Sequence, residues 1–165
     1  MVVALGTAVA VAATVEWVTV DTSIDITASN ETVWSIVTDF RAYDEWHPQM
    51  TAVRGALDAG ARIDFTARVG GDTRALNARI ERVLAPREIC WVGPVATAER
   101  VLFRGRHCLT IEPVDGSRVR LINRERFGGL LAPALRRYLT HDVADAYRAA
   151  NVALKARAER PDGAL

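Results

Sequence analysis

Between residues 16 and 127, apolar side chains recur at every second position in one short run after another. That period of two points to half-buried strands of an antiparallel sheet. In residues 16–26, Val18, Val20, Ile24 and Ile26 fall on one side and Thr19, Asp21, Ser23 and Asp25 on the other. Residues 62–69 set Ile63, Phe65, Ala67 and Val69 on one face. Gly70-Gly71-Asp72 is a hairpin signal, and residues 73–84 continue with Leu76, Ala78, Ile80 and Leu84. Residues 51–56 and 88–92 read as shorter strands, and 93 to about 100 as a loop. Residues 101–114 and 118–127 form a hairpin over Asp115-Gly116.

Helical spacing appears in two places. Ser29 or Asn30 caps a short helix whose apolar face is Val33, Trp34, Ile36 and Val37. A second short helix or turn over 39–45 is stopped by Pro48. Gly128-Gly129 ends the strand pattern, and a long helix is expected from about Leu131 to Arg160, with Pro133 in its first turn. The expected class is α+β: a curved antiparallel sheet of about six to seven strands around a long C-terminal helix. Residues 16–160 form one domain, with an apolar extension at 1–15 and a tail at 161–165.

Half of the 165 residues are hydrophobic, enough to build a core without a metal or disulfide staple. Cys90 and Cys108 share a parity on strands that would be neighbours, and are expected as free thiols. His47, His107 and His141 are too scattered for a metal site, so neither metal nor cofactor is expected. Twenty-one basic residues against 20 acidic ones leave a net charge of +1, without the basic excess of a nucleic-acid binder. Residues 1–15 carry no charge, so they lack the basic start of an export signal, and Glu16 and Asp21 interrupt too early for a spanning helix. A cytoplasmic protein is expected, with export or anchoring as the alternative.

Several strings, in order, carry a family likeness: Val33-Trp34 with Thr38-Asp39-Phe40, Tyr43-Asp44-Glu45-Trp46-His47-Pro48, Phe103-x-Gly105-x-His107, Gly116-Ser117-Arg118-Val119 and Glu125-x-Phe127-Gly128-Gly129-Leu130. Over about residues 18–158 the chain resembles the SRPBCC superfamily, the START and pollen-allergen-like helix-grip proteins, and within it the bacterial polyketide cyclase/dehydrase-like group. The resemblance implies an apolar ligand such as a lipid, sterol or polyketide in a cavity under the long helix, and in some members cyclisation or dehydration there.

Strand parity nominates the chemistry. Phe103, Gly105, His107, Leu109 and Ile111 share the apolar face of one strand, and Leu121, Asn123, Glu125 and Phe127 that of the next. His107, Asn123 and Glu125 are therefore candidates for proton transfer and carbonyl orientation. A satisfied polar pair closing one end of the cavity is the competing reading. Trp46, Phe65, Trp91, Phe103, Gly105, Leu121, Leu131, Leu135 and Tyr138 are candidate ligand contacts. Trp46, with His47 and Pro48, would stand at the pocket mouth; an anchoring role in the core is the alternative for Trp46. On the opposite face Arg104, Arg106, Arg118, Arg120, Arg124 and Arg126 form a basic stripe. Pairing with Asp64, Glu81 and Glu112 on a solvated sheet is preferred there over docking to an anionic membrane or acidic partner.

Three functions follow: a carrier of a small apolar ligand, a polyketide cyclase, aromatase or dehydratase using His107 and Glu125, and a protein-interaction module using the stripe. The expected partner is a small apolar molecule, with the chain a monomer or homodimer.

Overall fold

The computed structural model describes residues 16–160, and the expectations for 1–15 and 161–165 lie outside them. Strand β1 (Glu16–Ile26) leads into helix α1 (Asn30–Thr38), a 3-10 turn (Phe40–Ala42) and helix α2 (Tyr43–Trp46). Strands β2 (Met50–Gly55), β3 (Arg62–Val69), β4 (Asp72–Leu84) and β5 (Glu88–Gly93) follow. After a short helix α3 (Thr97–Leu102) come β6 (Arg104–Pro113) and β7 (Val119–Gly128). The chain ends in α4 (Arg136–Tyr138), a π turn (Leu139–Val143) and α5 (Ala144–Ala158), which run on as one rod.

The seven strands form one antiparallel sheet in the order β1-β7-β6-β5-β4-β3-β2. Register is fixed by the alternation, because a slip of one residue would turn every apolar side chain to water. The sheet is bent where β4 and β2 carry irregularities, between Ile80 and Arg82 and between Thr51 and Arg54. Ser29 caps α1, its Oγ accepting from the Thr32 N–H at 3.0 Å, and Val33 and Val37 are fully buried against the sheet. On α5 the inward residues are small: Ala144, Ala146, Ala150 and Ala158, with Leu154 and Asn151 between them.

Three expectations need correcting. The long helix begins at Arg136 rather than Leu131, because Gly129 (φ 93°) and Pro133 hold residues 130–135 in turns. Part of the expected loop after β5 is α3, and β6 starts at Arg104. Cys90 and Cys108 are bonded to each other, and no described cysteine is free. They stand directly opposite on β5 and β6, with Cα atoms 4.2 Å apart, just under the usual separation of about 4.4–6.8 Å across a disulfide.

The arginine stripe is largely paired, mostly with partners other than those expected. Arg106 meets Glu81 at 2.5 Å, as anticipated. Arg124 and Arg120 reach across to Asp21 and Asp25 on β1 at 2.5 and 2.7 Å, and Arg118 meets Asp115 at 2.7 Å. Asp64 pairs instead with Arg62 of its own strand. These pairs are exposed and screened by water, so the stripe is a solvated face more than a source of stability.

Candidate functional site

The apolar interior is split into two clusters. One is gathered around Val37, Tyr43, Ile80, Trp91, Leu121 and Leu154, the other around Val20, Phe127, Leu139 and Val143. Between sheet and rod lies a cavity of about 210 Å³. Trp91, Leu109, Leu121 and Phe127 line it from the central strands, Phe65 and Leu76 from β3 and β4, and Trp46 and Met50 from the α2 region. Ala146 and Ala150 close it from α5, and their small size is what leaves the space open. Asp72 and Arg74, both exposed, and Tyr138 also border it, so its mouth faces solvent between the β3–β4 hairpin and the start of the rod.

Polar atoms on this wall form one connected seam. Asn151 Nδ2 donates to Thr22 Oγ1 at 3.0 Å, and Asn123 Nδ2 donates to Asn151 Oδ1 at 3.1 Å. Asn123 Oδ1 lies 2.7 Å from His107 Nε2. Since that amide oxygen can only accept, His107 carries its proton on Nε2. Its unprotonated Nδ1 faces Glu125 Oε2 at 3.5 Å, and the Tyr147 hydroxyl donates to the same carboxyl oxygen. The His107 ring is held between Trp91 and Tyr147, with centroids 4.6 and 4.8 Å away.

Burial sets the protonation states. It pushes the Glu125 carboxyl up to about 8, so Glu125 is mostly neutral at pH 7. Burial pulls His107 down to about 4 against the opposing effect of its hydrogen bond to Asn123. His47, also on the cavity wall, falls to about 4 through burial and then the charge of His107. His47 Nδ1 accepts from the backbone N–H of Met50 and Gln49 at 2.9 and 3.2 Å, which places its proton on Nε2. At neutral pH the seam therefore holds a carboxylic acid beside an imidazole lone pair, with no net charge in an apolar chamber.

Parity brought His107, Asn123 and Glu125 to one place, and cross-strand pairing sets His107 opposite Glu125. Trp46, Phe65, Trp91, Leu121 and Tyr138 lie on the cavity wall. Phe103, Gly105, Leu131 and Leu135 do not. Phe103 stacks on Phe127 at 5.6 Å, outside the chamber. Gly105 lies beneath Glu125: a Cβ there would overlap Oε1 and come within 3.0 Å of the carboxyl carbon, so glycine makes room for the acid rather than for a guest. Leu131 and Leu135 are 48% and 37% exposed, because the turns at 130–135 carry them off the rod's inner face. Tyr147 and Asn151 were missed as seam residues. Their signal is the four-residue spacing from Leu139 through Val143, which puts an asparagine on an otherwise apolar stripe.

The family model described as polyketide cyclase / dehydrase and lipid transport matches residues 18–159. The fold is shared with the Zhui aromatase/cyclase from a Streptomyces species, at 17% identity and a TM-score of 0.72, covering 90% of this chain and 99% of that one. A START superfamily protein from Mycobacterium smegmatis has 18% identity and a TM-score of 0.66, over 86% and 97% of the two chains. Norcoclaurine synthase from Thalictrum flavum, solved with dopamine and hydroxybenzaldehyde, has 9% identity and a TM-score of 0.67, over 88% and 89%. No curated protein matches the sequence. Among the described residues, no helix is long and apolar enough to cross a membrane.

Proposed function

Because the chain belongs to the polyketide cyclase / dehydrase and lipid transport family, we propose that it holds a small, largely apolar, carbonyl-bearing ligand of polyketide type beneath the C-terminal rod. The observation that carries this is the contrast within one chamber: walls of Trp91, Leu109, Leu121 and Phe127, and a connected polar seam ending in a protonated Glu125. A ligand carbonyl would accept from the Glu125 acid or the Tyr147 hydroxyl, while its rings displace water from the apolar walls. An apolar cavity of about 150 Å³ accepts benzene, so about 210 Å³ suits a compound of one or two rings.

Catalysis is the second reading, favoured by the same acid and base. For loss of water from a β-hydroxy ketone, His107 Nδ1 takes the proton beside the carbonyl. The carbon–oxygen bond breaks, and the departing hydroxide takes the Glu125 proton to leave as water. His107 then returns its proton to the Glu125 carboxylate 3.5 Å away, restoring both groups. A base titrating at about 4 is weak for this work, which places carriage ahead of catalysis.

The test uses 2-acetyl-1-naphthol, with naphthalene as the probe lacking a carbonyl, followed by tryptophan fluorescence. Saturable binding of the ketone, weakened at least about tenfold by Tyr147→Phe with Glu125→Leu while naphthalene is little affected, supports the reading; the two lost hydrogen bonds set that scale. Absence of saturable binding by either probe, with no apolar compound in native mass spectra of fresh protein, overturns it. Accelerated dehydration of a β-hydroxy ketone that Glu125→Gln abolishes would move the assignment to the enzyme.

A further inference from the structure

Four leucines stand exposed together beside the beginning of the rod. Leu102 ends α3 at 51% exposure, and Leu130, Leu131 and Leu135 in the turns after β7 are 44%, 48% and 37% exposed. Backbone bonds join the two segments: Leu130 N–H to Val101 O at 3.0 Å and Leu131 N–H to Leu102 O at 2.9 Å. Leu135 N–H closes the turn on Leu131 O at 3.1 Å. Gly129 permits this contact, since a Cβ there would lie 2.7 Å from Leu102 O. The knob is therefore built into the fold and held by main-chain bonds, yet its side chains face water.

Charge and chain path bear on what covers it. Across residues 96–104 and 129–138 the charged residues are Arg100, Arg104, Arg136 and Arg137 against the single acid Glu99. Arg136 and Arg137 are exposed and directly follow Leu135. Glu16 pairs with Gly128, so β1 begins beside Gly129 and Leu130. Tyr138, one residue beyond Arg137, borders the mouth of the cavity.

We propose that Leu102, Leu130, Leu131 and Leu135, with Arg136 and Arg137, form a docking face for an anionic lipid surface. The leucines enter the interfacial region and the guanidinium groups meet lipid phosphates. The polarity of the surroundings selects this occupant: a second copy of the chain would bring like-charged arginines together, whereas a negatively charged bilayer neutralises them. Docking in this way sets the cavity mouth near the membrane. It does not depend on the ligand assigned to the cavity.

The full chain is sedimented with phosphatidylcholine vesicles, with and without phosphatidylglycerol. Binding is expected to the phosphatidylglycerol vesicles and much less to the neutral ones. Arg136→Gln with Arg137→Gln should lower the partition coefficient about thirtyfold, at about 1 kcal/mol for each charge near the surface. Leu131→Asp and, separately, Leu102→Asp should each abolish binding while leaving thermal melting and probe binding in the cavity unchanged, since both side chains are exposed. Equal binding to both vesicle types, or to neither, overturns the proposal. So does binding that survives both leucine variants and disappears only when residues 2–15 are removed, or a lipid-free dimer that Leu131→Asp dissociates.

Discussion

Replacing Glu125 by glutamine should make the protein more stable at neutral and alkaline pH and slightly less stable in mild acid. The neutral acid lies between two partners: Tyr147 donates to Oε2, and the His107 Nδ1 lone pair faces the same oxygen. A glutamine cannot ionise, but because both partners meet the same oxygen its amide keeps only one contact, the oxygen accepting from Tyr147 or the N–H donating to His107. In the native protein the carboxyl titrates at about 8 against 4.5 when unfolded, so the folded state holds the extra proton between those values and stability falls as pH rises through them. His47 and His107, at about 4 against 6.5, act oppositely. The unfolded chain holds their protons, and stability rises with pH from about 4 to 6.5.

Two rising contributions and one falling one leave a net increase up to pH 6.5, beyond which only the Glu125 decline remains. At about 1.4 kcal/mol per pH unit, the loss from pH 6.5 to 8 is about 2 kcal/mol. Urea unfolding followed by tryptophan fluorescence at pH 5, 6.5, 7.25 and 8 should show a maximum near pH 6.5 for the native protein. The Glu125→Gln protein should climb more steeply to that point and then level off. Parallel curves for the two proteins between pH 6.5 and 8 would refute the buried-acid reasoning.

Gly105→Ala should destabilise the fold by about 1–3 kcal/mol, because the added methyl occupies the seat of the carboxyl. It should also weaken binding of the carbonyl probe at least about tenfold by evicting the acid that would hold it, as fluorescence titration would show. Joint replacement of Cys90 and Cys108 by alanine should cost about 3 kcal/mol, the entropy of closing a loop of this length, read as a lower urea midpoint. A reductant should lower the native midpoint by a similar amount and leave the variant's unchanged.

The strands were legible because each has one wet and one dry face, which writes a period of two into the sequence. That same alternation put His107, Asn123 and Glu125 on one wall without knowledge of any contact. The start of the rod was not legible. Leu131 and Leu135 have helical spacing, yet Gly129 and Pro133 make turns of that stretch, and spacing alone does not separate a turn from a first helical coil. Tyr147 was hidden because its ring packs in the apolar layer, as the spacing of the rod would have it, while its hydroxyl reaches the acid. The disulfide was hidden because composition says only that a staple is unnecessary. That Cys90 faces Cys108 depends on how β5 and β6 are paired.

The wide coil from Leu139 to Val143 gives the rod one forgiving stretch. A π turn accommodates one residue more than an α turn while the segments on either side keep their alignment. Dropping a residue inside it would tighten the coil to ordinary pitch and leave Tyr147 and Asn151 aimed at the chamber. The same deletion a few residues later, between Tyr147 and Asn151, would swing Asn151 by about 100° and sever it from Asn123 and Thr22. Length variation in this rod is therefore tolerable at that coil, and ruinous just beyond it.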